Sequence, residues 1–339
     1  MEKNKRNISE RANKLYKENI IIDGLSSAVI DKVYAQRMVN SGLTVVNSTL
    51  AATECFKDTA KTAASWLTWK IERLSNYLIH VTNVKDIEKA KKTKKVGIIF
   101  GFQGAGPIED NINFIKLFHE IGIRVMGVVY NERSLLGDGC VESTNVGLSN
   151  FGISVIKEIN KVGMLLDLSH AGPQTTLEAI EVSTKPMVIS HSNARALCDS
   201  PRNVSDEILK ALAKKNGVIG INAFPTFVAK KTNPTIDDYL DHIDYIANLI
   251  GVEHVGIGLD LCEGITKEAH TIETGEIGYN NRPFPPSIYP PWPWIFPEGI
   301  NKVEDFPNIA QGLLERGYKE KDIVNIVGGN FLRVCKEVW

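Results

Sequence analysis

The stretch MLLDLSH, residues 164–170, is a short continuous apolar run that stops on a histidine, and the run MVISH, residues 187–191, stops on another. Continuous rather than alternating apolarity is the pattern of a strand buried on both faces, as in a parallel sheet covered by helices. Working outward from this pair, the same type of run recurs at 20–22, 43–46, 96–100, 125–129, 218–221 and 255–259. Segments of helical period lie between them. Residues 108–121 set Ile112, Phe114, Ile115, Leu117 and Phe118 in an amphipathic arrangement. Ser205-Asp206-Glu207 opens a helix to Lys215, with an N-cap, an acidic first turn and Gly217 beyond its end. Eight β-then-α units favour a closed (β/α)8 TIM barrel, class α/β, over an open doubly wound sheet. No G-x-G-x-x-G follows the first run, which weakens a dinucleotide-binding reading.

The 339 residues are 43% apolar and 23% charged with a formal net charge of −1, so no strong field exists to attract nucleic acid or an anionic membrane. Lys89, Lys91, Lys92, Lys94 and Lys95 cluster, and they read as a solvated helix end ahead of a buried strand. The five cysteines are odd in number, scattered and free of CxxC spacing, which argues against a disulfide framework or a zinc knuckle. The charged first residues contain no apolar core of a secretory signal, and no run is long enough to span a membrane; the expected location is cytoplasmic. Residues 1–339 read as one barrel domain with C-terminal helices at about 303–337. One segment breaks the rhythm: 280–297 carries seven prolines with Phe284, Tyr289, Trp292, Trp294 and Phe296. Prolines exclude an interior strand or helix there, while the aromatics need apolar cover. A structured loop over the barrel mouth, or the contact of a homodimer, satisfies both.

Chemistry in such a barrel sits at the C-terminal ends of the strands. Asp23, Gln103, Tyr130, His170, His191 and Asp260 all fall at such ends. Neutral imidazoles on adjacent strands suit a divalent ion, with Asp260 as a carboxylate beside them. The other histidines, His80, His119, His242, His254 and His270, read as structural or solvated.

Four phrases, GLSNFGISVIKEINKVGMLLDLSH, KPMVISHSNARALCDSPRNVSDEIL, HVGIGLDL and IVGGNFLRV, occur in an order that resembles the membrane (renal) dipeptidase family of metal-dependent, amidohydrolase-like barrels. The resemblance runs from about residue 20 to the C-terminus. In that family two zinc ions share a carboxylate, and the resemblance implies His170 and His191 as ligands of one of them. It implies Arg202 as the grip on a substrate carboxylate, and Asp260 as the group handling the proton of the attacking water. The first-strand family motif Asp-Gly-His-Asn-Asp reads Asp23-Gly24-Leu25-Ser26-Ser27 here, so Leu25 and Ser27 replace two ligands. The bridging glutamate is Gln103, and a carbonyl-polarising histidine is Tyr130, whose phenol can still donate to an oxyanion. Cys262 stands where many relatives have a second aspartate, as a soft ligand or a small buried thiol.

The expected function is therefore a dipeptidase-like hydrolase of a small amide or dipeptide-related carboxylate, with at most one zinc or other divalent metal on His170, His191 and Gln103. Two alternatives stay open. One is a metal-free lyase or isomerase on the inherited pocket; the other is an inactive carboxylate-binding homologue.

Overall fold

The computed structural model describes residues 7–266 and 288–339. Its strands are β1 (Ile22–Ser26), β2 (Val45–Ala51), β3 (Leu78–Val81), β4 (Val96–Phe102), β5 (Ile123–Gly127), β6 (Leu165–Asp167), β7 (Val188–Ser192), β8 (Val218–Ile221) and β9 (Val255–Ile257). All pair in parallel in the order β1-β2-β4-β5-β6-β7-β8-β9. The chain beyond β9 returns to β1: Asp260 N–H donates to Leu25 O (3.0 Å), Ser27 N–H donates to Leu261 O (3.1 Å), and Ser26 bridges Leu261. Eight strands thus form a nearly closed barrel, a (β/α)8 architecture.

The eight apolar runs all correspond to barrel strands. The ninth, β3, pairs with Val96–Ile99 on the edge of β4 that β5 then takes over at Phe100. Its sequence LIHV is too short, and too interrupted by His80, to stand out by hydropathy. The first run also differs. β1 continues through Gly24 and Leu25 to Ser26, so Asp23 lies within the strand instead of ending it. The Asp23 carboxylate accepts from Leu259 N–H (2.9 Å) and Leu25 N–H (3.4 Å), a structural task that keeps it out of the mouth. Burial pushes its pKa well up. The helix expected at 108–121 begins only at Asn113. Glu109 has φ 50°, and Asn111 Oδ1 accepts from Asn113 N–H, which interrupts the helical backbone. The helix Asp206–Lys214 starts as read, capped by Ser205, whose hydroxyl accepts from Ile208 N–H.

The barrel floor is apolar. Ile22, Val45, Ile99, Val125, Leu165, Val188 and Val218 pack together with Phe331, Val334, Cys335 and Val338 of the C-terminal helix Asn330–Val338. Phe331 enters so deeply that a Cβ on Gly24 would stand 2.6 Å from its Cζ. Plugging the floor leaves the opposite end as the only side of the strands where loops can assemble a site, consistent with the general rule for these barrels. Part of the Pro/aromatic segment, 280–287, lies outside the described residues. From Ile288 onward it covers the mouth: Ile288, Tyr289, Trp294 and Phe296 pack on Phe224 and Phe227 just beyond β8. Trp294 Nε1 donates to Pro290 O (2.9 Å), which gives the indole its polar partner.

Candidate active site

The two histidines are aimed by backbone that departs from regular strand. The register of β7 shifts between Ile189 and Ser192, a bulge that turns His191 inward. The bulge pushes Ser190 O so close to β8 and β9 that a Cβ on Gly220 or Gly258 would lie 2.0 or 1.9 Å from it; only glycine fits either place. Asn131, His170 and Asp260 all adopt left-handed backbone, with φ of 59°, 68° and 57°. Such conformations are costly for residues other than glycine, and they cluster here at one strand end after another.

Hydrogen bonds then fix which atoms face the centre. Asn131 Nδ2 donates to Tyr289 Oη (2.9 Å), so its Oδ1 is an acceptor and takes the proton of His170 Nδ1 (2.7 Å). Ser190 Oγ donates to Asp167 Oδ2 (2.5 Å) and accepts from His191 Nδ1 (2.7 Å) when Asp167 is ionised. Gln103 Nε2 donates to Thr49 Oγ1 (2.8 Å), which points Oε1 inward. With both Nδ1 atoms protonated, both Nε2 atoms carry lone pairs. His170 Nε2 lies 2.8 Å from His191 Nε2 and 2.8 Å from Gln103 Oε1, so three acceptor atoms converge with no proton of their own between them. Burial and the nearby Arg202 charge hold both imidazoles well below the usual histidine pKa, in the neutral, ligating form.

Arg202 is 3% exposed and forms no ion pair among the described residues. Its Nη2 lies 3.3 Å from His170 Nε2 and donates to His191 O (3.3 Å), while Nε has no partner. A buried guanidinium without a counter-anion is costly, and an anionic ligand would repay that cost. Asp260 sits across from it. Its carboxylate accepts from Ser27 Oγ (3.4 Å) and Asn222 Nδ2 (3.3 Å), and burial raises its pKa to about 6 against the lowering effects of Arg202 and these two donors. Tyr130 lies on His170 with ring centroids 4.3 Å apart, and its hydroxyl meets that of Tyr289 at 3.3 Å. The structure therefore brings Gln103, Tyr130, His170, His191 and Arg202 into one contiguous group, with Asp260 tied to it electrostatically. Cys262 stays beside Asp260 and donates to its carbonyl (3.3 Å).

Among the remaining histidines, His80 meets Gly122 O, His242 Nε2 meets Val228 O, and His254 Nδ1 meets Gly217 O. His270 lies outside the described residues. Sequence reading missed Thr49, Asn131, Asp167, Ser190 and Asn222, which orient the others, and gave Tyr289 only as part of the aromatic cover. Asp167 and Ser190 do adjoin the histidines in the phrases DLSH and ISH, but side chains of this type give no signal of their own.

A two-ion cluster does not fit these residues. Leu25 is apolar, Ser27 serves Asp260, Gln103 is a neutral amide, and among the described residues no three His, Cys, Asp or Glu side chains gather for a metal. One divalent ion does fit the chemistry of the donor set, because His170 Nε2, His191 Nε2 and Gln103 Oε1 present three converging lone pairs.

Comparison with known proteins identifies the family and the fold. The family model of membrane dipeptidases, peptidase family M19, matches residues 56–274 and 294–339. An amidohydrolase from Pseudomonas aeruginosa superposes with a TM-score of 0.92 at 36% identity, over 97% of this chain and 99% of that one. A metallo peptidase from Rhodobacter sphaeroides, solved with a phosphinate mimic of the dipeptide L-Ala-D-Ala, shares the fold at a TM-score of 0.75 and 18% identity, over 95% of this chain and 100% of that one. An uncharacterized dipeptidase of Schizosaccharomyces pombe is 31% identical over 71% of this chain and 53% of its own length. The chain spans about half the length of the curated relatives it matches. No helix among the described residues is long and apolar enough to cross a membrane. This chain belongs to the membrane dipeptidase family, peptidase family M19.

Proposed function

We propose that the protein is a hydrolase of small amides bearing a free carboxylate, and that it works with no more than one divalent ion. The observation that carries this reading is the buried Arg202 guanidinium, with no ion pair among the described residues and no partner on Nε, in the field of an Asp260 carboxyl whose pKa is near 6. Arg202 pairs with the substrate carboxylate through its planar fork and fixes the amide over the centre. Asp260, ionised above about pH 6, takes the proton of the attacking water and delivers it to the departing amine nitrogen. Tyr130, held by Tyr289, donates its hydroxyl proton to the oxygen that becomes negative as the carbonyl is attacked. His170, His191 and Gln103 would hold the ion, which when bound polarises the carbonyl and acidifies water. The Pro/aromatic cover built from Tyr289 and Trp294 limits substrate size and excludes solvent. Residues 1–339 act as one domain in this reading, as a cytoplasmic homodimer.

The test is a panel of dipeptides, N-acyl amino acids and cyclic amides supplied with zinc or manganese, run in H2 18O. Hydrolysis that places 18O in the product carboxyl, and falls at least ~1,000-fold in Asp260→Asn, supports the reading. Turnover without 18O uptake, unaffected by chelator, replaces it with metal-free elimination or isomerisation. Carboxylate binding without any turnover replaces it with a binding homologue.

A further inference from the structure

A cavity of about 230 Å³ opens beside the centre, over the ends of β1 and β2. Gln103 and Tyr130 of the centre line it together with Lys70 and Trp66. It occupies the side of the mouth from which the first-strand ligand types are missing, and it is lined there by Ser26, Ser27, Ser48 and Thr49. Lys70 rides on a π-helical turn, Trp66–Ile71, a rare geometry that re-aims side chains and recurs at functional sites. Its ammonium stands over the Trp66 ring, 4.1 Å from the centroid. It makes no hydrogen bond or ion pair among the described residues, and burial pulls its pKa below the ordinary lysine value against a smaller raising effect of Asp31. The other charged residue in the lining, Glu54, is already engaged, since its Oε2 accepts from Ala52 N–H (2.6 Å) and Thr53 N–H (3.0 Å). Ser48 has a hydroxyl with no hydrogen-bond partner among the described residues.

We propose that this cavity takes the acyl half of the substrate and that Lys70 pairs with a second carboxylate carried there, making the preferred substrates dicarboxylates. The proposal rests on the assignment of the first carboxylate to Arg202. Ala52 and the Trp66 face give the methylene spacer an apolar wall, and the Ser48 hydroxyl offers a donor to the same anion. Lys70 is a specificity-determining residue and takes no part in proton transfer.

The experiment is calorimetric titration of the full chain with α,ω-dicarboxylates of four to seven carbons and with the monocarboxylates of equal length. The expected result is that one dicarboxylate binds about 10-fold tighter than its monocarboxylate partner, the worth of one charge-assisted hydrogen bond. Lys70→Met should remove that preference and leave monocarboxylate affinity unchanged, and Lys70→Arg should keep most of it. Equal affinity of the two acids for the wild-type protein, or an undiminished preference in Lys70→Met, overturns the proposal. Turnover is not read here, so a failed amide panel leaves this result intact. A wild-type protein that binds neither acid contradicts both this proposal and the Arg202 assignment.

Discussion

Arg202 Nη2 lies 3.3 Å from His170 Nε2, so the cation proposed to take a substrate carboxylate is in contact with a nitrogen proposed to hold the metal. Anion and metal binding at this pair would therefore be coupled. A carboxylate on Arg202 screens its charge from the histidines, and by linkage each ligand strengthens the other. Zinc affinity measured by chelator competition should rise several-fold, on the order of 1 kcal/mol, when a saturating monocarboxylate is present. Arg202→Met should raise zinc affinity by a similar factor, lose the coupling, and cost carboxylate affinity at least ~30-fold. Its thermal midpoint should not fall, because the substitution removes a buried charge that forms no ion pair among the described residues. Zinc affinity indifferent to both carboxylate and Arg202 would remove the coupling.

The pH dependence follows from Asp260. Its pKa near 6 in the folded protein exceeds the usual aspartate value, so the native state holds this proton more tightly than the unfolded chain. The stability gained from that proton is present below about pH 4 and is lost as pH rises through about 6. Activity runs the other way, because the base must be ionised: kcat/KM should climb through an acid limb near pH 6 and then level. Asn222→Ala removes a donor to the charged carboxylate and should move that limb upward. A limb that stays in place in this variant would take Asp260 out of the base role.

Thr49 touches no proposed ligand atom, yet it sets the direction of Gln103 through the 2.8 Å bond to its amide nitrogen. Thr49→Val should free the amide to rotate and lower metal affinity about 10-fold, with little change in fold stability. Chelator competition and thermal melting on the same sample separate those two effects.

The barrel floor gives a prediction independent of function. Phe331 is 3% exposed and fills the floor against one residue from each of several strands. Phe331→Ala should cost about 3–5 kcal/mol in urea unfolding. A loss under 1 kcal/mol would mean that the C-terminal helix does not plug the barrel.

The fold was legible because, of the nine strands among the described residues, eight are largely buried and read as apolar runs. β3 was not, since four residues with a histidine among them do not make a hydropathy signal. Of the site, the reactive types were legible: His170, His191 and Asp260 close apolar runs, and Arg202 lies in a phrase shared with the family. What orients them was not. Asn131 and Ser190 matter through lone pairs and donors, and nothing in an asparagine or serine codon announces which partner it meets. The bulge of β7 depends on two glycines, Gly220 and Gly258, that meet Ser190 O only after the barrel closes. Lys70 escaped notice because a π-turn cannot be read from helical period.

In the proposed centre His170, His191 and Gln103 hold one ion, and the second metal position of the family is gone. Elemental analysis of protein purified without chelator, offered zinc and desalted, tests it directly. Close to one ion per chain is expected, lost in His170→Ala and in His191→Ala, with only feeble hydrolysis of ordinary L-dipeptides. Two ions per chain would contradict it, and so would an absence of metal in the zinc-loaded wild-type protein.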